Sequence, residues 1–540
     1  MKKNNGLLQK VWHHLRENPS EIIFGCYLLL IMMTSVCTTI FYTTAYKDNM
    51  FGIVLFVTLV FYSAFALTPK FHRWIGNLSF TQSHDISRKK KIQVFGLAGG
   101  ITFIVLAFFY IGFYPGSFSP DSIYQYSQVV NGTYDDWNPA WHTFLIFTMP
   151  LKLTGGWIGS VVLFQMIYFS LLIGYMAVLI YVYSGRVYAC LSVAFVLLNP
   201  YTIEIVMYPT KDVAFAIAAA LCMLYAMNIY FTNGKWCDKL YRIFMFAFML
   251  ACATLFRHNG VLFTLILLFA LFFFMQRKRW FFLFASTCVI LFCIKVPLYR
   301  YNDVNKPDRR ILETMGLPLS VIINVAKESP ESLDRQTSDF VADLMNKQPD
   351  WKMRHDISGL NSVKWDENGN LGINNDAVKN AGVKGILQMM CHCLFVAPKE
   401  SLKAVGGLTI PVYGLEVNGR ELNDIPPNDY GVTYNGVKAI NTMEENYRYC
   451  VYTTPLHLVF TIGFTILVML AFILFKSNIR SFEDWKRILL CLPIFTYDFG
   501  TMLLLSGHDV RFFYVSFLVC PLVVLIMCGK RPEQTTPQKN

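Results

Sequence analysis

The chain has 540 residues, of which 54% are hydrophobic, 16% aromatic and only 15% charged, with a formal net charge of +12. That composition and the mean hydropathy of +0.41 lie outside the soluble globular range and indicate a polytopic membrane protein. A nucleic-acid partner is excluded as the reason for the positive charge, because Lys and Arg fall in short clusters between apolar runs rather than on one basic face.

A hydrocarbon core about 30 Å thick needs roughly 20 apolar residues per helix. The first such run starts near Glu21, after Lys2, Lys3 and Lys10, and lacks a small-residue cleavage site, so it is expected to be retained. Spans are expected near 21–45, 50–67, 93–114, 157–183, 187–206, 212–231, 241–256, 260–275, 280–299, 451–475, 488–506 and 510–528. These amount to about twelve helices in an all-α fold. With this count, the N-terminal tail, Arg88-Lys89-Lys90-Lys91, the 235–242 turn, Arg277-Lys278-Arg279, the 476–487 turn and the tail with Lys530 and Arg531 all fall on one side. The positive-inside rule makes that side cytoplasmic, together with both termini. The same rule decides two ambiguous runs. Residues 144–154 are expected to be an amphipathic helix at the outer interface, and 241–275 two short helices with Arg257-His258-Asn259-Gly260 at an outer turn.

Three regions follow: a membrane portion 1–299 with an outer loop 115–156, an extracytoplasmic domain 300–450, and C-terminal helices with a cytoplasmic tail over 451–540. The 150-residue outer region is too long for an unstructured loop, and helix-compatible spacing occurs over 312–327, 330–345, 376–394 and 398–405, with a turn-forming stretch over 366–375. Cys26, Cys190, Cys252, Cys288 and Cys520 lie in apolar runs as small hydrophobes, and no Cys/His metal spacing occurs. Cys391, Cys393 and Cys450 sit in the polar region, where a disulfide is permitted but nothing requires one.

Residues 114–143, Y-P-G-S-F-S-P-D-S-I-Y-Q-Y-S-Q-V-V-N-G-T-Y-D-D-W-N-P-A-W-H-T, carry Asp121, Asp135, Asp136 and His142 and no Lys or Arg. On the same side, at helix ends, lie Tyr208-Pro209-Thr210-Lys211-Asp212, Arg257-His258-Asn259 and His508-Asp509-Val510-Arg511. Ionisable groups at membrane depth are costly and persist where they line a wet cavity or pair with one another. Together they suit phosphate-ester chemistry, with a carboxylate as general base and Lys and Arg holding a phosphate. Each residue also has a plain structural reading. Asp121 would cap a helix after Pro120, Asp135-Asp136 would form a turn, and His142 would cap the interfacial helix. Lys211 would be a snorkelling anchor paired with Asp212, and Arg257 and Arg511 would be interfacial anchors.

The segments S-P-D-S-x-x-Q-Y, N-G-x-Y-x-D-W-x-P-x-x-H-T, K-D-V-x-F-A, R-H-N-G and Arg511-Phe512-Phe513-Tyr514 resemble the GT-C superfamily, specifically an uncharacterised bacterial branch of it. These are integral-membrane glycosyltransferases that use polyprenyl-phosphate-linked sugars. The resemblance covers most of the membrane portion and implies a GT-C-like fold with Asp121 as the catalytic aspartate of the first outer loop. Substrate contacts would come from Asp136, His142, Lys211, Asp212, Arg257, His258 and Arg511. It leaves metal use open: some branches bind a divalent cation such as Mg or Mn between two acids, here Asp121 and Asp212, and others bind none. Where relatives often carry Asp-Glu this chain has Asp121-Ser122, and where they carry Lys-Pro-Pro it has Ala140-Trp141-His142, so the phosphate-holding role moves to His142, Lys211 or Arg257, or is absent.

The expected activity is therefore inverting transfer of a sugar from a polyprenyl-phosphate donor to a glycan, lipid or protein acceptor, at the outer face of the cell membrane. A transporter or flippase of lipid-linked saccharides is the main alternative. It predicts charges within helices and an internal repeat, whereas these clusters sit at helix ends and no repeat is visible. An envelope assembly protein would not need the one-sided cluster, and an intramembrane hydrolase would need a Ser-His or H-E-x-x-H arrangement that is missing from the sequence.

Overall fold

The computed structural model describes residues 19–42, 50–80, 86–306, 310–357, 359–366, 370–413, 425–478, 481–507 and 509–529. Lys2, Lys3, Lys10, His508, Lys530 and Arg531 lie outside the described residues. Among those described the fold is all-helical, with isolated bridges and no strand. Six helices are long and apolar enough to cross a membrane: Arg88–Gly112, Gly159–Ser184, Lys211–Phe231, Arg277–Tyr301, Phe482–Leu504 and Val510–Cys528. Two bent pairs raise the number to as many as 8.

The expected count of about twelve exceeds this for identifiable reasons. Pro19–Ile31, Leu240–Phe256, Gly260–Leu271 and Ile462–Lys476 are apolar but short. The 187–206 run is not one helix: Asn199 caps a new one, its side chain accepting from the Tyr201 N–H, and Pro200 opens it, so Arg186–Leu197 and Pro200–Met207 meet at 58°. The 451–475 run is also divided. A helix Lys438–Tyr452 ends inside it, a 3-10 turn Pro455–Phe460 follows, and the apolar helix begins at Ile462 under a Thr461 cap.

The helices Lys211–Phe231 and Val510–Cys528 form the centre, with 89% of the most apolar stretch of each buried. Arg88–Gly112 lies at the periphery with 11% buried, and its exposed Leu97, Ile101, Ile104, Phe108 and Ile111 recur every three or four residues. An apolar stripe of that length facing outward is stable against lipid and unfavourable against water.

Contacts gather the basic clusters at one end. Arg279 pairs with Asp238, Lys476 Nζ donates to the Gly76 carbonyl at 2.9 Å, Arg487 donates to the Met527 carbonyl at 3.3 Å, and Phe80 bridges to Gly529. At the opposite end of the bundle lies the 300–450 region. Its helix Gly316–Glu328 is buried almost throughout and packs between Asn375–Val396 and Pro398–Tyr413, with its base against Phe482–Leu504. The expected helices of this region are present, but the sequence did not show that two of them form an apolar pair bent by 118°. Cys391, Cys393 and Cys450 are all free thiols.

Candidate active site

The loop 115–156 folds as a helix, Pro120–Asn131, followed by a helical run from Ala140 to Leu153. Ser119, not Asp121, is the cap: its side chain accepts from the Ser122 N–H at 3.3 Å, with Pro120 opening the first turn. Gly132 closes the helix in the left-handed conformation, φ 66°. Asp121 is thereby left in the first turn, where the helix dipole favours a carboxylate, with its oxygens free for other work. Ser122 Oγ donates to the Pro209 carbonyl at 3.2 Å, which brings this N-terminus against the N-terminus of Lys211–Phe231.

That juxtaposition sets Lys211 Nζ 3.7 Å from Asp121 Oδ2 and 2.6 Å from Asn138 Oδ1. The Asp121 side chain is 39% exposed and forms the open side of the cluster. Burial works against its ionisation, but the charge of Lys211, then that of Arg511 and the Asn138 side chain, outweighs it. The carboxyl is therefore held below its ordinary range and stays ionised at neutral pH.

Asp212 plays another part. Adjacent helical residues point about 100° apart, so while Lys211 faces the loop, Asp212 faces inward and is 1% exposed. It pairs with Arg257 and lies 3.4 Å from Arg511 Nε, and Arg511 also meets Asp509 Oδ2 at 3.0 Å. The expected Lys211–Asp212 pair is replaced by Lys211–Asp121 and Arg257–Asp212. Arg257 is held further by Asn259 Oδ1 at 3.1 Å and by the Phe512 ring, 4.8 Å below its guanidinium, while Arg511 stacks 5.0 Å from the same ring. Asn259 in turn donates to Thr501 Oγ1 at 2.6 Å.

Three of the expected substrate contacts, His142, Asp136 and Asp212, are buried and engaged with neighbouring side chains or backbone. His142 is fully buried, with Nδ1 2.8 Å from the Gln125 amide. Burial, reinforced by Lys211, lowers its pKa to about 3, so it is neutral and positions the loop without reaching an open surface. Asp136 is also buried: Oδ1 accepts from the Ala140 N–H at 3.1 Å and Oδ2 meets Lys295 Nζ at 2.9 Å, so both oxygens are engaged in holding the loop. Asp212 is enclosed by its arginines. His258 stands at the exposed rim, near Asp136 and Lys295. Asp121, Lys211, Arg257 and Arg511 come together, Lys211 on Asp121 and the two arginines on the neighbouring Asp212.

The donor set does not fit a divalent cation. Asp212 presents its oxygens to two guanidinium groups and Asp121 faces an ammonium, so a dication between them would stand among three fixed positive charges. Among the described residues no cluster of three His, Cys, Asp or Glu side chains forms elsewhere.

The 300–450 region is expected from the sequence to shape the acceptor site, but which of its residues reach the cluster is not legible there. Lys364, buried on the short helix Asn361–Lys364, meets Glu313 Oε1 at 2.5 Å, and its Nζ lies 5.7 Å from the centre of the Trp137 ring and 5.1 Å from that of Trp365. The charge of Lys364 acts on Asp121 and that of Glu313 on Lys211, so both border the same site. No local motif marks Lys364; the signal is tertiary. Asn138 was likewise passed over as part of the turn.

Comparison of the chain with protein-family models, curated proteins and solved structures finds no match.

Proposed function

We propose that the protein is an integral-membrane glycosyltransferase of the GT-C type. It would move a sugar from a polyprenyl-phosphate donor to a glycan, lipid or protein acceptor at the outer face. The observation that carries this reading is Asp121: an ionised, open carboxylate 3.7 Å from the Lys211 ammonium, where two helix N-termini meet and two arginines lie behind. Helix N-termini and fixed cations favour a phosphate. In the reaction, the acceptor oxygen forms a bond to the anomeric carbon while its proton passes to Asp121. The bond from that carbon to the phosphate oxygen breaks, its electron pair leaving with polyprenyl phosphate, and the centre inverts.

Lys211 would meet the departing charge, since Arg257 and Arg511 are already matched by Asp212 and Asp509 and act as a rigid positive frame. Trp137, Trp365 and Glu313 at the rim would receive the acceptor, with aromatic faces and one carboxylate as in other polar-ligand clefts. This reading takes the shorter apolar helices as further crossings, about twelve in all, with both termini cytoplasmic.

Transport has one observation in its favour: Asp498, buried inside Phe482–Leu504, accepts from Ser516 Oγ at 2.6 Å on a neighbouring helix. The two readings separate on incubating the purified protein with polyprenyl-phosphate sugars and a membrane glycan extract. Transfer by the wild type and a loss of at least ~100-fold in Asp121→Asn, the usual scale for a catalytic base, are expected. Full transfer by a folded Asp121→Asn protein removes Asp121 as base. A wild type that transfers from no donor, but moves lipid-linked sugar across proteoliposomes, favours transport.

A further inference from the structure

The segment 383–402 has a surface that water does not explain. In Asn375–Val396, bent at Gly382, the residues Val383, Leu387, Cys391 and Phe395 recur every four positions, and all are exposed, Phe395 by 86%. On the other side of the same helix, Ile386, Met389 and Cys393 are buried in the core of the 300–450 region. A surface helix in water has one apolar face; this one has two. The chain then turns through 118° into Pro398–Thr409, where Leu402 is exposed while Ala404 and Leu408 are buried.

Three further observations concern what covers that surface. The second arm packs against Pro19–Tyr42 and Ile462–Lys476, both apolar helices of the membrane portion, so the corner lies along the flank of the bundle. Two backbone bonds hold the corner: Ala397 donates to the Cys393 carbonyl at 2.9 Å and Ser401 to the Ala397 carbonyl at 3.0 Å, while Pro398 has no N–H to leave unpaired. Each such bond lowers the cost of a broken helix at membrane depth. Finally, Lys384, Lys399 and Lys403 are exposed beside the apolar stripe, positioned to reach phosphates from an acyl-chain layer.

We propose that the bent pair 383–409 is seated in the outer monolayer of the membrane. Val383, Leu387, Phe395 and Leu402 lie among phospholipid acyl chains, and Lys384, Lys399 and Lys403 lie at the level of the phosphates. A second copy of the chain is the rival occupant. Lipid is favoured because the second arm packs on Pro19–Tyr42, an apolar helix whose Ile23 and Leu30 are exposed as the residues of the stripe are.

The test uses the full chain in nanodiscs of phosphatidylethanolamine and phosphatidylglycerol doped with a phospholipid carrying a diazirine on its acyl chain. After irradiation, adducts are mapped by mass spectrometry. They are expected on 383–402 as well as on the peripheral helix Arg88–Gly112, and Phe395→Glu with Leu402→Glu should lower those on 383–402 at least fivefold while leaving the peripheral helix unchanged. Adducts confined to Arg88–Gly112, or cross-links between two copies through 383–402, overturn the proposal. Neither outcome bears on the transferase reading, which the transfer assay addresses separately.

Discussion

Asp121 and Asp212 carry the same functional group, and their surroundings give them opposite tasks. Asp121 is part of a half-buried pair with Lys211 that opens to solvent on the Asp121 side, and pairs reached by solvent contribute only about 0–1 kcal/mol to stability. Asp212 is enclosed with two arginines, and removing one member of a buried ionic cluster costs roughly 3–5 kcal/mol because the partners keep uncompensated charge. Asp121→Asn is therefore expected to melt close to the wild type in detergent, whereas Asp212→Asn should melt far lower or fail to fold. Equal melting temperatures for the two variants would sink this division of roles. His142 supplies a pH signature. Its folded pKa of about 3 lies below the ordinary value near 6.5, so the unfolded chain takes up the proton first. The contribution is complete above pH 6.5 and is lost as pH falls toward 3, at up to ~1.4 kcal/mol per unit. The stability gap between wild type and His142→Gln should change over that window, and a gap constant from pH 7 to 4 would contradict the neutral, buried histidine. Sequence reasoning could identify which residue types gather here, because membrane economics confines charge to functional or paired positions. Residue types alone did not separate Asp121 from Asp136 or Asp212, and only the family resemblance singled it out, since that distinction depends on which way each side chain turns in the folded chain.

At the scale of elements, the turn Arg257-His258-Asn259-Gly260 between the two short helices Leu240–Phe256 and Gly260–Leu271 was legible. The cap of the loop helix was not, since Ser119 takes the role expected of Asp121, and neither was the break at Asn199-Pro200, whose flanking residues are apolar enough to read as one span. Hydropathy alone carries no angle, which is also why the 118° corner at 397 was unseen. Gly260 shows how such a turn positions chemistry. A Cβ there would stand 2.1 Å from the Ala253 carbonyl oxygen, so only glycine lets the second helix start this close to the first. Gly260→Ala must push the two helices apart and displace Arg257 from Asp212. Overpacking of this kind costs about 1–3 kcal/mol. The expected result is a lowered melting temperature together with reduced transfer, and an unchanged melting temperature would show that the contact yields freely.

For the whole molecule, the two ends of the bundle are chemically distinct, and the distinction makes the topology testable. At one end, the contacts Arg279–Asp238, Lys476–Gly76 and Arg487–Met527 tie the basic turns together. At the other, the loop helix, Lys211, Arg257 and Arg511 close around Asp121 beneath the 300–450 region. The positive-inside rule assigns the first end to the cytoplasm, because short Lys/Arg-rich turns resist translocation. Thr133, exposed at the end of the loop helix, and Lys278, exposed in the basic turn, then report opposite sides. In intact cells a membrane-impermeant maleimide should label Thr133→Cys beyond the wild-type background. Lys278→Cys should gain label only after permeabilisation. The comparison with wild type matters, because native cysteines such as Cys450 are exposed. Labelling of Lys278→Cys from outside, with Thr133→Cys protected, would invert the molecule. It would place Asp121 where a cytoplasmic, nucleotide-activated donor is the chemically available one, so the transferase reading would lose its lipid-linked substrate even if every distance in the site were unchanged.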